Sequence, residues 1–67
     1  MMSWRDTVLE YIRNHPQITQ WKLIKAYPKL THPSEILNRL VSEGVISYVV
    51  KYNPDSGKSA RFYFACD

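Results

Sequence analysis

One stretch constrains this 67-residue chain more than any other: Thr-His-Pro-Ser-Glu-Ile-Leu-Asn-Arg-Leu-Val-Ser-Glu-Gly-Val-Ile over residues 31–46. Ile36, Leu37, Leu40 and Val41 recur at intervals of one, three and four, which puts them on one stripe of a 3.6-residue helix. Ser34, Glu35, Asn38, Arg39 and Ser42 fall on the opposite face. Both ends are signalled chemically. Thr31 is the expected N-cap, Pro33 suits a first turn where its missing N–H costs nothing, and Gly44 can take the left-handed conformation that stops a helix. The spacing predicts a helix over about 32–43.

Past Gly44 the period changes from 3.6 to 2. Ile46, Tyr48, Val50 and Tyr52 alternate with Ser47, Val49 and Lys51, and residues 60–65 form a second run rich in aromatics. Between them Asn53-Pro54-Asp55-Ser56-Gly57 has the chemistry of a turn, so the two runs should form a hairpin with Lys51, Lys58 and Arg61 near its tip. Alternation counted along each strand sets Val49 and Tyr63 on one face and Tyr48, Val50, Phe62 and Phe64 on the other, leaving both faces partly apolar.

Two helices are expected upstream. Ser3 and Asp6 have capping-box spacing ahead of a stripe of Trp4, Val8, Leu9, Tyr11 and Ile12, which predicts a helix from residue 4 to about 14; His15-Pro16 ends it. Thr19 caps a second helix over about 20–27, with Trp21, Leu23, Ile24 and Tyr27 turned inward and Pro28 as its stop. Gln17-Ile18 is long enough only for a short edge strand.

Sixty-seven residues make one domain, 1–67, because a chain of this size buries only about 60% of its unfolded surface and cannot feed two cores. With 45% hydrophobic and 13% aromatic residues it is too apolar to be disordered. The single Cys66 has no internal disulfide partner, no apolar run approaches the roughly 20 residues that span a bilayer, and residues 1–6 lack a signal-peptide h-region. A reducing cytoplasm is the expected location. Net charge is +3, and its surplus is local: residues 17–32 hold Lys22, Lys25 and Lys29 with no acid, just ahead of the third helix.

Helix, short strand, helix, helix, strand, strand is the order of an α+β chain that resembles the winged helix-turn-helix superfamily. The parts that carry the resemblance are Glu-Ile-Leu-Asn-Arg-Leu-Val-Ser-Glu-Gly-Val-Ile over 35–46 and Ser-Ala-Arg-Phe-Tyr-Phe over 59–64. It implies three helices followed by a two-stranded hairpin wing, and a small sequence-specific double-stranded DNA-binding regulator of prokaryotic or phage type. Helix 3 would then lie in the major groove, with residues 51–61 as the wing. Asn38 has the chemistry to bond adenine and Arg39 guanine, while Thr31, His32 and Ser34 at the helix start can reach phosphate or base. Glu35, on the same face and four residues before Arg39, has the spacing to pair with it and hold it back. Lys22 and Lys25 on the second helix, with Lys51, Lys58 and Arg61 on the wing, would clamp phosphates on either side.

Blander readings stand beside these. A surface lysine often only solubilises a helix, and an exposed His32 before proline is an ordinary turn residue. His15 suits the negative end of a helix dipole. Trp4, Trp21, Tyr48, Tyr52 and Tyr63 have stacking chemistry, yet most should be needed as core. One cysteine, two distant histidines and two glycines assemble no zinc site, P-loop or nucleophile elbow, so neither catalysis nor a metal or other cofactor is expected. Residues 33–50 carry Glu35 and Glu43 against Arg39, net −1, which favours the alternative function of a protein-interaction adaptor built on the same fold. Recognition of RNA or of left-handed duplex fits the pattern less well. The partly apolar hairpin suggests a homodimer, formed through helix 1 or the C-terminal strand over 62–66, reading half-sites about one helical turn apart.

Overall fold

A computed structural model describes residues 3–66; residues 1, 2 and 67, which the single-domain expectation also spans, lie outside the described residues. Three helices, α1 (Trp4–Asn14), α2 (Gln20–Ala26) and α3 (Pro33–Ser42), precede a hairpin of β1 (Ile46–Asn53) and β2 (Lys58–Ala65). Among the described residues, no helix is long and apolar enough to cross a membrane.

Capping chemistry sets the first two helix starts. The Ser3 hydroxyl accepts from the Asp6 N–H at 3.3 Å, and the Thr19 hydroxyl accepts from the Lys22 N–H at 3.3 Å, each satisfying a donor with no partner inside its helix. Thr19 is also the one buried polar side chain among the described residues, so its cap lies in the interior. The third start differs from the expectation at Thr31. His32 is the N-cap, in the left-handed conformation (φ 53°, ψ 51°) and with no side-chain hydrogen bond; Pro33 follows as the first helical residue. An imidazole beside a proline turns the chain into the helix by backbone geometry alone.

The far end of α3 follows the sequence closely. Gly44 has φ +79°, its N–H reaches the Val41 carbonyl at 3.0 Å, and the Val45 N–H reaches the Leu40 carbonyl at 3.2 Å. This pair of bonds is the Schellman arrangement, and it hands the chain directly to β1.

Val8 and Ile12 of α1, Leu23 of α2, Leu37 and Leu40 of α3, and Ile46 and Tyr63 of the hairpin close one core; Ile18 and Leu30 seal it from the connections. Ile18 also forms an antiparallel bridge with Tyr63, giving β2 a neighbour on each side at that point. Two inward assignments on α2 fail. Trp21 is 60% exposed and Ile24 is also exposed, while α2 stops one residue early with Tyr27 as its C-cap. Trp21 lies two residues, or about 200° of helix, from buried Leu23, so the two cannot share a face. Trp4 likewise sits at the edge of the core, its ring 5.8 Å from that of Tyr27 in an edge-on contact.

The hairpin register corrects the expected faces. Tyr48 pairs with Tyr63 and Val50 with Arg61, whereas Val49 pairs with Phe62 and Ser47 with Phe64. Residues directly opposite one another share a face. Tyr63 therefore joins Ile46, Tyr48 and Val50, and Phe62 and Phe64 join Val49. Counting along each strand without the pairing register set the two strands one residue out of phase.

Candidate nucleic-acid interface

The first turn of α2, the exposed face of α3 and the distal half of the hairpin surround a groove of about 450 Å³. Ser34 and Asn38 of α3 line one wall and Arg61 of β2 lines another, with Tyr63 beside it. Thr19, Gln20 and Trp21 contribute from α2, and Asn53, Asp55 and Ser56 from the turn. Each wall has a local cause. Ser34 and Asn38 are four apart, hence stacked on one face of α3. The Thr19 cap projects Gln20 and Trp21 off the start of α2. The Asn53 side chain accepts from the Asp55 N–H at 3.1 Å and the Asn53 carbonyl from the Gly57 N–H at 2.8 Å, which folds the turn over the groove.

The cations divide into those aimed at the groove and those held elsewhere. Arg61 stacks its guanidinium 4.4 Å from the Tyr48 ring centre. Its pKa is raised, chiefly by hydrogen bonding to the Tyr63 side chain and then by the nearby Tyr48. It is a fixed positive charge on an aromatic platform. Lys25 lies 4.4 Å over the Trp21 ring and so rides on the groove's rim. Lys22 lines a separate hollow with Tyr11, His15 and Gln17. Lys51 crosses the Phe62 ring at 4.8 Å and donates to the Gln17 side-chain oxygen at 2.6 Å. Lys58 stands opposite Asn53 at the base of the turn, exposed. Arg61 and Lys51, adjacent in expectation, belong to opposite faces of the hairpin.

The expected restraint on Arg39 is also relocated. Its Nε lies 3.8 Å from Glu43, the next residue along the same stripe, and no ion pair or hydrogen bond joins it to Glu35. Glu43 is simultaneously gripped by Arg5 of α1, whose Nε donates to the two carboxylate oxygens at 2.9 and 3.3 Å and whose Nη2 also donates to it. That hydrogen bonding, followed by the charges of Arg5 and Arg39 and opposed by partial desolvation, holds the Glu43 carboxyl below the ordinary carboxylate range. Arg39 thus points along α3 toward α1, away from Asn38 and the groove. Thr31, His32 and Glu35 remain exposed at the start of α3. His15 stacks on Tyr11 at 4.0 Å, and its Nδ1 lies 3.0 Å from the Tyr11 carbonyl at the end of α1.

Of the residues singled out by sequence, Ser34, Asn38 and Arg61 are brought together; Lys22, Lys51 and Arg39 are directed elsewhere. Gln20, Asn53 and Asp55 line the groove without having been singled out, and Trp21, named for its stacking chemistry but expected in the core, lines it too. For Trp21 a signal existed in the helical angle to Leu23. For Asn53 and Asp55 none did, because their placement depends on how the hairpin leans. Among the described residues, no three histidine, cysteine or acidic side chains form a group able to hold a metal ion. No family model, curated protein or solved structure matches the chain.

Proposed function

We propose that this chain is a winged helix-turn-helix protein that binds double-stranded DNA sequence-specifically as a transcriptional regulator. The observation that carries the reading is the groove in which Ser34 and Asn38 of α3 face Arg61 of the hairpin across about 450 Å³. A major groove about 12 Å wide admits a helix, and each base pair displays its own donor and acceptor pattern there. With α3 inserted, the Asn38 amide can give and take one hydrogen bond each with adenine. Ser34, with Thr31 and His32 at the same end, meets phosphate or base edge. Arg61 then sits beside a strand backbone, its guanidinium already ordered on Tyr48, so little conformational freedom is lost on binding. Lys25 on Trp21 supplies the opposing clamp.

The adaptor reading has its own support in the apolar surface of Trp21, Val50 and Tyr52, each at least 60% exposed. A titration of the isotope-labelled chain with a random-sequence duplex at two salt concentrations separates the two. Amide shifts at Ser34, Asn38, Arg61 and the Trp21 indole that fade as salt rises are the expected result. An unperturbed spectrum at the lower salt would remove the DNA reading and leave the adaptor.

A further inference from the structure

Backbone hydrogen bonding leaves β1 open along its outer edge. Tyr63 of β2 donates its N–H to the Ile18 carbonyl at 2.8 Å and accepts from the Ile18 N–H at 3.2 Å, so its backbone faces away from β1. An antiparallel strand alternates, residue by residue, between its two neighbours. Phe62 and Phe64 therefore bond β1, where the register sets them against Val49 and Ser47. The Cys66 N–H on the Val45 carbonyl at 3.0 Å obeys the same parity. It follows that the N–H and C=O groups of Ile46, Tyr48, Val50 and Tyr52 point outward, and among the described residues no other backbone segment bonds them. The side chains of the last two are 63% and 64% exposed.

We infer that this edge is an interface for a second copy of the chain, which adds antiparallel with Val50 opposite Val50 of the copy on the two-fold axis. The parity dictates the register. Two identical antiparallel strands related by a two-fold axis place one residue opposite itself, and with Ile46 buried at 1% exposure the outward-facing residues left to exchange bonds are Tyr48, Val50 and Tyr52. Centring on Val50 uses all three: Tyr48 meets Tyr52 of the copy, Val50 meets Val50, and Tyr52 meets Tyr48. Three pairs exchanging two bonds each make six across the axis.

Charge favours the same occupant. Edge strands are ordinarily guarded by a charge, a proline or a bulge. Residues 46–53 contain no proline and one charge, Lys51. In this register Lys51 stands opposite Val49 of the copy rather than Lys51, and its ammonium is drawn over Phe62 to Gln17, across β2 from the open edge. The edge is thus complementary to itself, with aromatic on aromatic, valine on valine and the lone charge turned away. The outer edge of β2 offers no equivalent, since Ile18 occupies its centre at Tyr63.

Sedimentation and amide hydrogen exchange of the whole chain, each at about 10 µM and about 1 mM, test this through mass action. The expected result is a dimer at the higher concentration, with protection of the Tyr48, Val50 and Tyr52 amides rising about tenfold while Val49 and Lys51, already bonded to β2, stay unchanged. Val50→Lys sets like charges face to face on the axis and should return a monomer with the core amides of Leu37 and Leu40 still protected. A monomer at about 1 mM overturns the inference. So does a dimer that survives Val50→Lys, or one whose new protection falls on α1. Protection of the three edge amides only on adding an unrelated extended peptide would replace the second copy with a foreign strand.

Discussion

At the helical end of the hairpin Ile46 and Tyr63 are 1% and 3% exposed, whereas four residues further along β1 Val50 stands at 63%. The residue types are alike, the alternation is unbroken and the strand is continuous. What changes is the surface beneath it: Ile46 belongs to the core with Leu37, Leu40 and the α1 stripe, whereas among the described residues no helix covers Val50 and Tyr52. Strand alternation therefore reports which face a residue occupies but not whether anything lies on that face. In a chain this small the uncovered half of an apolar strand is the part free to meet something else.

The sharpest way to break this contrast is to truncate one residue from each half. Leu37→Ala deletes most of a side chain that is 1% exposed and should cost about 2–5 kcal/mol, a large share of the roughly 3–10 kcal/mol available to a chain of this length. Val50→Ala, measured at a concentration low enough to keep the chain monomeric, should stay within about 0.5 kcal/mol. Urea unfolding of both variants gives the answer. Comparable losses would mean that the distal hairpin is packed after all.

A second pair tests the two sides of α3. If α3 reads DNA through the groove face, Asn38→Ala should cost about 1–3 kcal/mol on a preferred site, and Arg39→Ala distinctly less, because Arg39 lies toward Glu43. Trp21 fluorescence in a Trp4→Phe background reports binding from the groove rim. A larger effect at Arg39 would rotate the contacting face of α3 by about 100°.

Much of the scaffold was legible because its signals are local. Helix starts at Ser3 and Thr19, the stop at Gly44 and the turn at Asn53–Gly57 each depend on a few adjacent residues whose backbone preferences do not need the rest of the chain. The candidate site was legible only in part. Ser34 and Asn38 follow from the α3 stripe, but Arg61 joins them through strand register, which sets it opposite Val50 and depends on the turn geometry and on how the hairpin packs against the helices. Arg39 was matched to Glu35 by spacing alone, whereas Glu43 has the same spacing and the added hold of Arg5, 38 positions away. Spacing offers both acids; only the fold chooses.

Two left-handed residues flank α3, and each offers a test of how far local backbone preference sets the helix ends. Gly44→Ala meets no atom within 4 Å of the added carbon, so its cost is conformational, about 1–2 kcal/mol. His32→Gly relieves the same kind of strain at the other end and should be neutral to stabilising by up to about 1 kcal/mol, offset by the freer unfolded chain. Thermal melts of the two variants should move in opposite directions, or the second should not move. Equal losses would show that the His32 ring contributes something its backbone does not reveal.

The smallest expected effect lies at Glu43. Its carboxyl is held below the usual value of 4.5 chiefly by the Arg5 hydrogen bond. A depressed carboxylate contributes stability that is present above its unfolded value and is lost as pH falls through the folded one. Glu43→Gln should therefore lower the urea midpoint slightly at pH 7, since the pair is on the surface and screened. As pH falls below the unfolded value of 4.5 and on through the lower folded one, wild type and variant should converge, because only there does the wild-type carboxyl become protonated as well. A gap that persists in acid would assign the effect to packing between α1 and α3 rather than to charge. The same variant bears on the contrast between the two ends, because Glu43 is the acid that draws Arg39 toward α1. With that acid removed, Arg39 is released and α3 loses one negative charge, so affinity for duplex should rise at low salt while the preference at Asn38 is unchanged. A fall in affinity instead would mean that the Arg5–Glu43 contact, at the end of α3 far from the groove, sets the angle at which α3 is presented.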